Sequence, residues 1–193
     1  MDIQELKATI DSFGKAMKLI EEKSDAGTDL VEPARAEIAF FGLYLIFDNG
    51  SFDEEELRLI EEASGFKINR DHWNEIMKLG RVDSEEHYLS QPPNTFIVMV
   101  DVDNMLYEAG EDMTAYTAAY EIYKLFGDFF VNAKGFTDEK RQVKLSRFFE
   151  VTEKYRRENS KNPDVGFPHD VGVGAEDVRA IPSKKGVEAP KKS

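Results

Sequence analysis

The chain has 193 residues, 41% of them hydrophobic with 14 Phe, enough for a sizeable core in one domain or two small ones. Its net charge is −13, and residues 158–193 hold six acids and six bases, so residues 1–157 carry all of that charge. A body this acidic repels phosphate backbones, which argues against nucleic acid and for basic partners or divalent cations, and the absence of Cys excludes a disulfide framework, a thiolate metal site and a Cys nucleophile.

Residues 2–24 read as an amphipathic helix, because Ile3, Leu6, Ile10, Phe13, Met17 and Ile20 recur on one face. That seam can lie on its own domain or pair with a second copy as a homodimer. Pro33 suits the first position of the next helix, which runs from there to about Asp48. From Ile38 onward this helix is apolar almost all round, which places it at the centre of the fold. Gly50 then turns the chain. Asp53 caps a third helix, with Glu56 three residues on closing a capping box and Gly65 ending the helix. A fourth helix opens at Asn69 or Asp71 and carries Trp73, Ile76, Met77 and Leu79 to Gly80, and Asp83–Glu86 starts a short one. Phe96–Val100 has strand propensity, but no other segment reads as a strand and an isolated strand cannot pair. A helix from near Pro93 to Ala109 is therefore expected. Thr114 caps the next, to about Ala133, and Thr137 caps a long last helix. From Glu158 onward Pro, Gly and Ala mix without an apolar period, the pattern of a flexible or disordered tail.

Two helix-turn-helix units resemble each other. Setting Gly50 on Gly135 brings Phe52 to Phe136 and Asp53 to Thr137, with one residue fewer in the second turn. Asp48-Asn-Gly50-Ser-Phe-Asp53-Glu-Glu-Glu56 also resembles the acid–Gly turn and acidic cap of the TerB-like family, named for tellurite-resistance proteins. The second unit departs from that pattern at Asn132, Ala133 and Lys140, where acids are expected. The resemblance covers about residues 30–157. It implies an all-helical fold with an acidic surface and a link to stress response, phage defence or metal handling. No phosphate-binding Gly-x-x-x-x-Gly-Lys-Ser/Thr motif is present.

The acidic turn is the best candidate metal site. With Glu56 at the last position of an EF-hand loop, the first and third ligand positions fall on Leu45 and Phe47, so an EF-hand is excluded. A looser oxygen site would use Asp48, Asn49, Asp53 and Glu56 and take Ca²⁺ or Mg²⁺. Helix capping explains every one of these acids except Asp48. Asp101, Asp103, Glu108, Glu111 and Asp112 read as a solvated surface. His72, His87 and His169 are scattered, without zinc spacing or a nucleophile elbow. Tyr116, Tyr120 and Tyr123 share one helix face and read as core.

The expected molecule is an all-α compact bundle of seven to eight helices with two pseudo-repeated units, a TerB-like domain over residues 1–157, and a tail over 158–193. The N-terminus lacks the regions of a signal peptide, and no apolar run approaches the ~20 residues of a membrane helix, so a cytoplasmic protein is expected. The expected function is a non-enzymatic protein-interaction or regulatory module with a basic partner, no catalytic residues and no cofactor. The alternative is a Ca²⁺ or Mg²⁺ protein using the Asp48–Glu56 turn. A carboxylate-metal hydrolase is a weaker third reading.

Overall fold

The computed structural model describes residues 2–23, 29–47, 53–69, 91–133 and 137–164. The chain divides into a body, residues 1–163, and a second unit, residues 164–193. All regular structure among the described residues is helical: α1 (Ile3–Lys23), α2 (Val31–Ile46), α3 (Glu54–Ser64), α4 (Asn94–Ala109), α5 (Ala115–Val131) and α6 (Glu139–Asn159). The two further helices expected between Asn69 and Glu86 lie outside the described residues, as do Gly50 and Gly135. No helix among the described residues is long and apolar enough to cross a membrane.

The apolar pattern of α2 has the expected consequence. Every residue from Phe41 to Phe47 is buried, and α2 packs against all five other helices. Gly42 permits the closest approach. A Cβ there would stand 2.9 Å from both Ile60 Cγ1 of α3 and Phe126 Cε1 of α5. Around α2 lies an aromatic centre drawn from four helices. Phe41 (α2) meets Phe148 (α6) at 4.3 Å between ring centroids, and Phe96 (α4) meets Tyr123 (α5) at 4.9 Å. Tyr123 in turn stacks on Phe148 at 5.6 Å. Such pairs contribute about 0.5–1.5 kcal/mol each beyond the area they bury.

The seam of α1 is used inside the chain. Leu6, Ile10, Phe13 and Met17 are buried, and α1 packs on α2, α3 and α5. A homodimer through α1 would have to use the helix's other face. The segment that reads ambiguously, Phe96–Val100, is helical and belongs to α4. α3 ends at Gly65 with φ +70°, the left-handed geometry expected of that residue. α6 runs to Asn159, and the chain stays pinned beyond it: the Lys161 amide donates to Asn104 Oδ1 at 2.7 Å.

Candidate functional site

The acids of the turn are committed to the fold where they are described. Asp53 is the N-cap of α3, and its Oδ1 accepts the amides of Glu55 (2.9 Å) and Glu56 (3.3 Å). Glu56 does not close the box. Its side chain turns inward and forms a two-pronged pair with Arg141: Nη1 donates to Oε1 at 2.6 Å and Nη2 to Oε2 at 2.9 Å. A charged donor fork in the interior outcompetes a surface amide for this carboxylate, since charge-assisted bonds strengthen away from water. Arg141 Nη1 also donates to the Phe130 carbonyl at 2.9 Å, near the end of α5. Asp48 and Asn49 lie outside the described residues, so Asp53 and Glu56 are the two candidate ligands that can be placed. Among the described residues, no three acids or histidines converge as a metal cage would require. The three His residues all lie outside the described segments.

A complete capping box exists elsewhere. Asp2 Oδ1 accepts the amides of Gln4 and Glu5, both at 2.9 Å, and the Asp2 amide donates to Glu5 Oε2 at 3.0 Å. The last helix is capped by Asp138, one residue after the expected Thr137. Asp138 Oδ1 accepts the amides of Lys140 (3.1 Å) and Arg141 (3.2 Å), while the Thr137 hydroxyl donates to Asn132 Oδ1. A carboxylate is the stronger acceptor and complements the positive helix end.

Other helix ends are completed by charged groups from neighbouring helices. Glu37 of α2 accepts the amides of Asn94 and Thr95, each at 2.8 Å, at the start of α4. Asp103 of α4 accepts the amides of Ala115 (2.8 Å) and Tyr116 (3.1 Å) at the start of α5. The expected cap there, Thr114, makes no side-chain cap bond. Asp103 is therefore buried, not part of a solvated acid surface as its neighbours suggest. At C-terminal ends the sign reverses. Lys144 donates to the carbonyls of Tyr44 (2.9 Å), in the last turn of α2, and Phe47 (2.6 Å), its C-cap, and Arg35 donates to the Ser64 carbonyl (2.8 Å) at the end of α3. Both patterns oppose the helix dipole and satisfy orphan backbone groups.

Tyr116, Tyr120 and Tyr123 are all buried, as their spacing implies. The Tyr116 hydroxyl donates to Thr152 Oγ1 at 3.2 Å, and Arg156 lies 4.5 Å over its ring. Burial pushes both the Tyr116 and Tyr120 hydroxyls well above the ordinary tyrosine value, and the Glu153 carboxylate adds to this at both.

Two surface features remain. A cleft of about 420 Å³ is lined by Lys7, Arg58, Glu61, Glu62, Gly65 and Lys67. Its acids are engaged: Glu61 accepts the Ile68 amide and Glu62 accepts from Gln4 Nε2. The second feature is the outer face of α4. α4 is apolar all round from Phe96 to Val100, yet it is not covered on all sides. Met105 is 68% exposed, Ile97, Val98 and Val102 are half-buried, and Asp101 and Glu108 are exposed. Helical spacing sets Asp101, Met105 and Glu108 on one stripe, with Val98 beside them. The apolar run is visible in the sequence, but nothing local to it distinguishes its covered side from its open one. No protein-family model, curated protein or solved structure matches the chain.

Proposed function

We propose that this chain is a non-enzymatic protein-interaction module that docks a partner on the outer face of α4. The observation that carries this reading is the exposure of Met105, with half-buried Val98 and Val102 beside it and Asp101 and Glu108 on the same stripe, on a helix that packs α2, α5 and α6 with its other side. The disposition of the charges supports it. The best-placed acids, Glu37, Glu56 and Asp103, hold helices together instead of facing a shared reaction centre. The resemblance of the acidic turn to TerB-like proteins suggests a cytoplasmic setting in stress response or phage defence. The caps Asp53 and Asp138 each follow their Gly, Gly50 or Gly135, by three residues, which favours related units at the caps, although this gapless alignment sets Phe52 on Thr137 and not on Phe136.

Divalent-cation binding through Asp48, Asn49, Asp53 and Glu56 has less support, because Glu56 gives both oxygens to Arg141. The test is copurification from the native cell with wild-type protein and with a Val98→Ser/Met105→Ser variant shown by thermal unfolding to be folded. Loss of a discrete, stoichiometric partner from the variant is the expected result. Identical partners from both proteins would remove α4 as the docking face.

A further inference from the structure

The outer face of α4 has a distinctive electrostatic setting. From Gln91 to Tyr123 the chain contains no Lys, Arg or His, and its acids are Asp101, Asp103, Glu108, Glu111, Asp112 and Glu121. Asp103 is internal, which leaves five exposed acids. Two of them, Asp101 and Glu108, flank Met105 on the same stripe, and Glu111 and Asp112 follow at the end of the helix. A cation reaches this end from α6's C-terminal extension: Lys161 Nζ pairs with Glu108 Oε1 at 2.5 Å. The body already draws a lysine ammonium onto this rim.

Resting on the interaction reading above, we infer that the occupant of the α4 face is a basic amphipathic helix of another protein, with apolar residues over Val98 and Met105 and Lys or Arg against Asp101, Glu108 being already paired with Lys161. The stripe runs along a helix, the geometry onto which a second helix lays its own apolar residues. An apolar centre beside a rim of one sign selects a partner of the opposite sign and speeds its arrival. A second copy of this chain is disfavoured by the same charges, because pairing two α4 faces would bring acids against acids.

The test uses the full chain and synthetic amphipathic helices built from Leu with Lys, Leu with Gln, or Leu with Glu. Affinities are read by fluorescence anisotropy between roughly 0.05 and 0.5 M salt, a range over which exposed charges become screened. The Lys peptide is expected to bind best and to weaken as salt rises. Met105→Ser should weaken it about tenfold, the loss expected from unburying much of one apolar side chain. Asp101→Asn should weaken it about threefold and flatten the salt dependence. Leu19→Ser, at an exposed apolar residue on α1, should change nothing. Equal binding of Lys and Gln peptides, both lost in Met105→Ser, would overturn the basic partner while leaving α4 as a docking face. Self-association of the chain that Met105→Ser abolishes would replace the partner by a second copy. Indifference of every peptide to Met105→Ser would overturn both the inference and the reading beneath it.

Discussion

Glu56 and Arg141 occupy equivalent places in two helices and bind each other. Each is the third residue after an Asp cap, Asp53 or Asp138, and the two side chains meet through bonds of 2.6 and 2.9 Å. The pair joins α3 to α6 and, through the Phe130 carbonyl, to the end of α5. Both side chains are only 7% exposed, so removing one partner strands a charge away from water. Glu56→Leu is expected to lower stability by about 3–5 kcal/mol. The double variant Glu56→Leu/Arg141→Met should recover much of that loss, because neither charge is then left alone. Denaturant midpoints in metal-free buffer check this. A Glu56→Leu protein as stable as wild type without metal would show that the pair does not hold the helices.

Asp103 and Thr114 give a sharper contrast at one helix end. Asp103→Ala removes the acceptor for two amides of α5 and should cost about 2 kcal/mol. Thr114→Ala, at the position the sequence alone marks as the cap, should stay within about 0.5 kcal/mol of wild type. Equal losses in the two variants would contradict the assignment of the cap to α4.

Gly42 measures how closely α2 is packed. Ala is the better helix former, by about 1 kcal/mol. Its methyl group would nevertheless stand 2.9 Å from Ile60 and Phe126, and overpacking of this kind costs about 1–3 kcal/mol. Gly42→Ala is therefore expected to lower the unfolding temperature, whereas a rise would mean that α3 and α5 can withdraw freely.

Tyr116 and Tyr120 set the alkaline limit. Burial holds both hydroxyls protonated above their ordinary pKa of 10.0. A raised folded value means that this contribution to stability is complete below the unfolded pKa and disappears as pH rises above it towards the folded one. Above about pH 10, unfolding should therefore take up the ionisation that the folded state refuses. Absorbance titration of the 7 tyrosines should show these two ionising only together with loss of helical circular dichroism. Smooth ionisation of all seven in the folded protein would contradict their burial.

The helices were legible because their signals are local. The all-round apolar run of α2, the stop at Gly65 and the lack of any partner strand for Phe96–Val100 all point to what the structure contains. The charged contacts were not legible. Glu37 caps a helix 57 residues away and Glu56 pairs 85 residues away, and no periodicity marks such partners. Local rules chose Thr114, Thr137 and a Glu56 box, each a sound neighbour-based choice that a longer-range or stronger acceptor displaced. The candidate site suffered for the same reason: Asp101 and Asp103 look alike in sequence, and only packing turns one outward and the other into α5.

The most direct test of the central claim, that α4 presents the docking face, is photocrosslinking in the native cell from a reactive residue placed at Met105, with the same residue at Leu19 as reference. Both positions are exposed, at 68% and 57%, so the comparison isolates location from accessibility. A discrete adduct is expected from Met105 that Asp101→Lys suppresses and that Leu19 does not give. The same adducts from both positions, or none from Met105, would contradict it.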